Sequence, residues 1–147
     1  MPALTAAELL SPQDLLRVRD AVRAAEQRTS GEVRVHMDDA IAEHVLDHAA
    51  FVFGELAMFR TRERNGVLIY VSVADRRMAV IGDAGINAVV PPGFWDEVLN
   101  GLRSAFQAER YADGLCAAVG KVGDKLAAYF PPRSDDRNEL ANDISIG

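Results

Sequence analysis

Val67-Leu68-Ile69-Tyr70-Val71-Ser72-Val73 is the stretch that decides the fold of this chain. It is a nearly continuous run of apolar and β-forming residues, which is typical of a strand that is covered on both faces of its sheet. Asn65-Gly66 breaks the chain before this run, and Ala74-Asp75-Arg76-Arg77 after it is short enough for a hairpin turn. The pattern therefore predicts a central strand followed directly by a reversal of the chain.

Two further strands are predicted around the central one. Residues 33–37 alternate apolar and polar side chains, and Met78-Ala79-Val80-Ile81 follows the hairpin turn. Between the first two strands, apolar residues recur at helical spacing from Ile41 to about Phe59. A right-handed helical crossover makes these two strands parallel, and the short turn makes the third strand antiparallel to the second.

Helices complete the predicted domain. Ser11-Pro12-Gln13-Asp14 starts one with a serine cap, Pro91-Pro92-Gly93 introduces another, and Asp113 is a candidate cap for the last. The order of elements predicts an α/β sandwich, in which a small mixed sheet carries helices on both faces. We expect a single domain over residues 1–132 and a polar, loosely held tail over residues 133–147.

The composition argues against several classes of function. The chain has 147 residues and a net charge of −6, whereas nucleic-acid binding needs a basic surface. It has one cysteine, Cys116, and therefore no internal disulfide. Because no apolar run reaches membrane-spanning length and the N-terminus does not resemble a signal peptide, we expect a cytoplasmic chain without direct membrane insertion. We also expect a monomer.

Three glycine-containing motifs should meet at one edge of the sheet: Ser30-Gly31-Glu32, Arg64-Asn65-Gly66 and Gly82-Asp83-Ala84-Gly85. The first two precede parallel strands, and the third follows a strand that runs backward. Glu32 and Asp83 can then approach each other, and two carboxylates with backbone carbonyls and water suit calcium or magnesium. Seven residues are expected to line this metal site: Ser30, Gly31, Arg64, Asn65, Gly66, Gly82 and Gly85.

The same residues also have simpler interpretations. Asn-Gly and Gly-Asp-x-Gly are common turns, and Glu32 can simply pair with Arg64. The opposite edge is a rival site, because Asp38 and Asp39 end the first strand where ligands of open α/β sheets usually bind. The charged turn at 74–77 lies beside them, although charged turns are usually just solvated.

A histidine pair is a further candidate. His44 and His48 are four residues apart on the predicted helix, a spacing that can place two imidazoles on one metal. Asp47 stands where the inverted zincin pattern has glutamate, and no third ligand is evident. The sequence has no nucleophile-elbow serine, P-loop, dinucleotide fingerprint or cysteine-loop-arginine motif. The residues alone therefore give no positive evidence for catalysis.

Taken in order, the motifs resemble those of the TPM domain family, which is named after thylakoid lumen, photosystem-repair and receptor-modulator proteins. The stretches that carry the resemblance are residues 29–35 (TSGEVRV), 64–71 (RNGVLIYV), 81–86 (IGDAGI), Trp95, 111–115 (YADGL) and 129–131 (YFP). The closing stretches 138–140 (NEL) and 143–145 (DIS) are similar to those of the small soluble bacterial branch. The resemblance implies a Rossmann-like α/β/α sandwich.

The resemblance also implies a function. It implies a calcium site at Glu32 and Asp83, with Asp113 and Asp124 as weaker candidate ligands. A chloroplast relative described as a weak acid phosphatase implies phosphomonoesterase activity, and relatives in membrane complexes imply an unidentified protein partner. Three hypotheses follow: a calcium-binding module that acts in protein assembly or interaction, a weak metal-dependent acid phosphatase, and a scaffold without an ion site.

Overall fold

The computed structural model describes residues 4–132 and 144–147, which build a four-stranded sheet with helices on both faces. The strands are β1 (Glu32–Asp38), β2 (Gly66–Ser72), β3 (Arg77–Gly82) and β4 (Ser145–Ile146), in the spatial order β3-β2-β1-β4. β1 pairs in parallel with β2 and with β4, and β2 pairs antiparallel with β3. The predicted parallel crossover and the predicted hairpin are both confirmed.

Helices cover both faces of this sheet, as predicted. The helices are α1 (Ala6–Leu9), α2 (Pro12–Glu26), α3 (Val45–Glu55), α4 (Ala84–Asn87), α5 (Phe94–Gln107) and α6 (Tyr111–Tyr129). The packed layer of α2, α5 and α6 lies on one face, and α3 lies on the other. The α/β/α sandwich is therefore confirmed. No helix in the described part of the chain is long and apolar enough to cross a membrane.

Strand β2 is the centre of both cores, and every one of its residues is buried. Successive side chains of a strand point to opposite faces. The apolar side chains at 67, 69 and 71 enter the larger core beneath α2, α5 and α6, whereas Leu68 and Tyr70 pack with Ala49 and Val52 of α3. An unbroken apolar run is what a strand covered on both faces requires.

Hydrogen bonds to side chains set the starts of α2 and α3. The Ser11 hydroxyl accepts a hydrogen bond from the Asp14 N–H at 3.1 Å, so α2 starts with the predicted serine cap. The next helix differs from its prediction, because α3 begins at Val45 and not at Ile41. The Ile41 N–H donates to the carboxylate of Asp75 at 2.7 Å, which holds this residue in a loop against the hairpin.

The C-terminal end adds a strand that the sequence pattern did not indicate. Ser145 and Ile146 of β4 pair with His36 and Met37, and the Arg34 Nε donates to the Ser145 hydroxyl at 3.2 Å. This strand places the last residues of the chain next to the carboxyl end of β1. The rest of the predicted tail, residues 133–143, lies outside the described residues.

Candidate functional site

The three glycine-containing motifs share one edge of the sheet, which we call the Glu32 edge: residues 30–32, 64–66 and 82–85. Glu32 is in register with Gly66, and the Asp83 N–H donates to the Gly66 carbonyl at 2.9 Å. Because β2 lies between β1 and β3, Glu32 and Asp83 are on either side of Gly66. Two strand spacings place their Cα atoms about 10 Å apart. The motifs come together, but Glu32 starts β1 and Asp83 follows the end of β3, and these two strands are not adjacent.

Asp83 is engaged by an arginine. Its Oδ2 accepts from Arg64 Nε at 2.7 Å, and its Oδ1 accepts from Arg64 Nη2 at 2.8 Å and from the Ala84 N–H at 2.7 Å. The Asp83 side chain is 6% exposed, so the guanidinium compensates a nearly buried charge. The hydrogen bond to Asp83 raises the pKa of Arg64. Arg64 therefore pairs with Asp83, and an ion at Asp83 must first displace it.

The glycines of the Glu32 edge allow very close packing. An ideal Cβ on Gly85 would lie 1.9 Å from the Glu63 carbonyl oxygen, and one on Gly66 would lie 2.7 Å from another backbone carbonyl oxygen. Gly31 and Gly82 meet neighbouring side chains at 2.8 Å and 2.5 Å in the same way. Backbone contacts leave no room for a side chain at Gly66 and Gly85, whereas a side chain at Gly31 or Gly82 would require a neighbouring side chain to move.

A corner of the Glu32 edge is rich in oxygen atoms. Asn65 is 1% exposed, and its Nδ2 donates to the Ser30 hydroxyl at 3.2 Å and to Glu63 Oε2 at 3.4 Å. Its main-chain carbonyl accepts from the N–H of Glu32, a residue that is 3% exposed. The Asn65 Oδ1 atom is buried and accepts no hydrogen bond from a described group. A buried oxygen in this state costs about 1–3 kcal/mol.

Asp113 and Asp124 lie elsewhere. Asp113 is the third residue of α6, so its predicted role as the cap is wrong; the cap position is Arg110. Asp113 pairs with Arg17 at 2.7 Å, a bond that lowers the pKa of this carboxyl, and Asp124 pairs with Arg28 at 2.7 Å. Both are exposed pairs: the first joins α6 to α2, and the second joins α6 to Arg28, two residues after the end of α2.

The side chains that commonly bind metals are not clustered in the described part of the chain. Across residues 4–132 and 144–147, no group of three or more histidine, cysteine, aspartate or glutamate side chains is placed to hold a metal ion. The four predicted ligands Glu32, Asp83, Asp113 and Asp124 are not gathered around one point. An ion at the Glu32 edge therefore needs amide, hydroxyl or water oxygens in addition to carboxylates.

The opposite edge carries a network of side chains, which we call the Asp38 network: His36, Asp38, Glu43, His48 and Tyr70. The Tyr70 hydroxyl donates to Asp38 Oδ2 at 2.6 Å, and His48 Nε2 lies 3.1 Å from the same oxygen. His36 Nε2 lies 3.0 Å from Asp38 Oδ1, and His48 Nδ1 lies 2.7 Å from Glu43 Oε1. Sequence reasoning found Asp38 and His48 separately but missed that they meet.

The Asp38 network shifts the pKa values of Asp38 and Tyr70. Burial raises the pKa of Asp38, but the hydrogen bonds from Tyr70, His36 and His48 outweigh it and keep this pKa below its usual value. Burial and the bond to Asp38 raise the pKa of Tyr70 well above its usual range. When His48 is doubly protonated, each of its ring N–H groups faces a carboxylate acceptor. Such groups can hold and relay a proton.

The remaining candidates at this edge have structural roles. His44 precedes α3, where its Nδ1 accepts the Leu46 N–H at 3.2 Å, so it does not form a pair with His48. Asp39 Oδ1 accepts the Ala6 N–H at 2.6 Å. Asp75 Oδ2 accepts both the Ser72 hydroxyl at 2.6 Å and the Ile41 N–H. The two aspartates thereby fix loops beside the Asp38 network.

Comparison with known proteins identifies relatives of this architecture. The NMR structure of the BA42 protein from the psychrophilic bacterium Bizionia argentinensis is 42% identical, with a TM-score of 0.88 over 97% of this chain and 98% of that one. The N-terminal domain of a P. gingivalis protein has a TM-score of 0.64 at 21% identity, covering 85% of this chain and 81% of that one.

A further solved domain shows the same fold alone. The N-terminal domain of the cg2496 protein from Corynebacterium glutamicum has a TM-score of 0.60 at 15% identity, over 90% of this chain and 84% of that one. Among proteins with curated descriptions, none matches this sequence. The family model of the TPM domain matches residues 4–125, which include both sheet edges described above. The chain therefore belongs to the TPM domain family.

Proposed function

We propose that this chain is a divalent-cation-binding module, with calcium as the preferred ion over magnesium, and that the ion binds at the Glu32 edge. The observation that carries the proposal is the buried Asn65 Oδ1, an amide oxygen that accepts no hydrogen bond from a described group. Hard cations prefer oxygen ligands, including amide carbonyls. The corner offers this atom together with the Glu63 carboxylate and the Ser30 hydroxyl. Glu32, whose N–H donates to the Asn65 carbonyl, is the neighbouring buried carboxylate.

Asp83 supports this corner indirectly. Its two hydrogen bonds to Arg64 fix the residue next to Asn65. The Arg64 carbonyl in turn accepts the Gly85 N–H at 2.8 Å. In this proposal Asp83 and Gly85 hold the loop in place, and the ion is bound by the oxygen atoms on the β1 side of it.

The cation site adjoins a surface suited to a protein partner. Phe59 is 45% exposed and lies on the loop that leads from α3 towards Asn65, and Phe51 of α3 is 58% exposed. Leu46, which is 51% exposed, lies at the start of α3, at the other edge of the sheet. Met58 next to Phe59 is fully buried, and its carbonyl lies close against Gly66. An ion held at Asn65 would order this loop and fix the apolar surface for a partner, which we propose to be a protein of a membrane-associated complex.

Titration of calcium and of magnesium into the metal-free protein, followed by backbone amide shifts in NMR, tests the cation site. We expect saturable shifts at Gly31, Glu32, Asn65 and Gly66, and a rise in unfolding temperature with calcium. Glu32→Gln should weaken calcium binding about tenfold, because ligand charge sets affinity at such sites. Asp124→Asn removes the same charge in the helical layer and should bind like the parent.

Two results would overturn the cation site. One is the absence of saturable shifts at millimolar calcium, and the other is a Glu32→Gln variant with parental affinity. The protein would then be a scaffold in which the Glu32 edge only stabilises turns.

A second candidate function, a weak metal-dependent phosphomonoesterase, is favoured by the Asp38 network. His48 between two carboxylates offers a general acid beside the carboxyl end of β1, where ligands of open α/β sheets bind. Hydrolysis of p-nitrophenyl phosphate should then fall about a hundredfold or more in His48→Gln, and His44→Gln is the matched control. Turnover that survives in both His48→Gln and Asp38→Asn would belong to a contaminating enzyme.

A further inference from the structure

A cavity of about 420 Å³ opens beyond the carboxyl end of β2, on the face that α5 and α6 cover. Its walls are largely apolar: Leu9 of α1, Val73 after β2, Met78 of β3 and Phe106 of α5 contribute to them. A volume of this size lies within the usual range of small-molecule sites, roughly 300–1,000 Å³. The position matches the general location of ligands in open α/β sheets.

Two cations stand in the wall of this apolar cavity. Arg76 of the hairpin turn and Arg103 of α5 both line it, and both residues are exposed to solvent. Neither forms an ion pair with any residue in 4–132 or 144–147. In a chain with a net charge of −6, two arginines without an ion-pair partner among the described residues therefore lie beside one apolar cavity.

We propose that this cavity binds a monomeric amphiphile with a carboxylate head group and a medium-length hydrocarbon chain. The chain occupies the apolar interior, where each buried CH₂ group contributes about 0.8 kcal/mol. The carboxylate lies at the mouth and accepts hydrogen bonds from Arg76 and Arg103, because guanidinium groups match carboxylate geometry. The cavity is at the opposite edge from Asn65, so this proposal does not depend on the cation site.

Octanoate and 1-octanol are matched probes, because they have the same chain length and differ in charge. We expect octanoate to bind saturably, with NMR shifts at Val73, Met78 and Phe106, and 1-octanol to bind at least tenfold more weakly. Arg103→Gln should weaken octanoate about tenfold and leave 1-octanol unchanged. Arg60→Gln removes an exposed arginine from the loop before β2, at the other edge, and should bind octanoate like the parent.

Several outcomes would overturn the proposal. Equal affinity for octanoate and 1-octanol would show that the arginines do not contribute to binding of the carboxylate. Equal weakening by Arg60→Gln and Arg103→Gln would show only a general effect of net charge. Octanoate shifts that spread over the surface without saturating would exclude the cavity. Binding to anionic lipid vesicles with no binding of monomeric octanoate would indicate a membrane-surface site in its place.

Discussion

The Glu32 edge and the Asp38 network lie at the two ends of the same strands. The first is packed mainly from backbone atoms and the second from side chains. At the Glu32 edge the backbone packs against itself, with carbonyl oxygens where the Cβ atoms of Gly66 and Gly85 would be. At the other end one carboxylate, Asp38, receives three side chains from β1, β2 and α3. Short glycine motifs therefore mark close backbone packing, whereas a network built from distant residues leaves no motif in the sequence.

Substitution of Gly85 should have the largest effect, and it tests the close packing of the Glu32 edge. In Gly85→Ala the new methyl group would meet the Glu63 carbonyl at 1.9 Å, so the loop must move away from α4. We expect the free energy of unfolding in urea to fall by about 3 kcal/mol or more. Gly120→Ala is the control, because nothing lies within 4 Å of its Cβ position in α6. It should raise stability by about 0.5–1 kcal/mol.

Removal of Asp38 tests the other edge. Asp38→Ala deletes the common acceptor of Tyr70, His36 and His48, and we expect a loss of about 2–3 kcal/mol in urea unfolding. Asp124→Ala removes an aspartate whose side chain is 70% exposed, and this control should change stability by less than about 1 kcal/mol. Equal effects of the two substitutions would mean that the network contributes nothing specific.

Arg64→Lys should have a smaller effect and concerns the pair that holds the Glu32 edge together. Lysine keeps the charge but cannot make both hydrogen bonds to Asp83, so we expect a loss of about 1 kcal/mol. Arg17→Lys is the matched control, because Arg17 pairs with exposed carboxylates on α2 and α6. A parental unfolding curve for Arg64→Lys would show that Asp83 needs only a nearby positive charge.

The smallest expected effect is a pH dependence of the stability that Asp38 contributes. Because the folded-state pKa of Asp38 lies below its usual value, its stabilising contribution is complete above about pH 5 and is lost as the pH falls through the folded pKa. The difference in unfolding free energy between the parent and Asp38→Asn should therefore shrink from pH 6 to pH 3. A difference that stays constant over this range would contradict the assigned shift.

Local patterns in the sequence predict much of the fold. The apolar run at 67–73 and the serine cap at Ser11 both depend on neighbouring residues only, and both predictions are confirmed. The start of α3 was misplaced because Asp75, far along the chain, binds the Ile41 N–H. β4 was missed because two residues are too few for an alternating pattern, and its existence depends on pairing with β1.

The site was harder to predict, because pairing partners depend on side-chain geometry. Topology places both Glu32 and Asp83 near Arg64, and the sequence alone does not say which carboxylate it binds. One signal for the Asp38 network was present, since a tyrosine inside a buried run needs a partner for its hydroxyl. In the parallel register, Tyr70 lies opposite His36, two residues before Asp38.

The buried Asn65 also bears on how this protein ages. In flexible chains, the nitrogen of a glycine that follows asparagine attacks the side-chain amide, and the ring that forms opens to aspartate or isoaspartate. Here the Asn65 amide is held by Ser30 and Glu63, and Gly66 is fixed in β2, so the two reacting groups lack the freedom to meet. Deamidation at Asn65-Gly66 should therefore be slow and should occur mainly in molecules in which the start of β2 is unfolded.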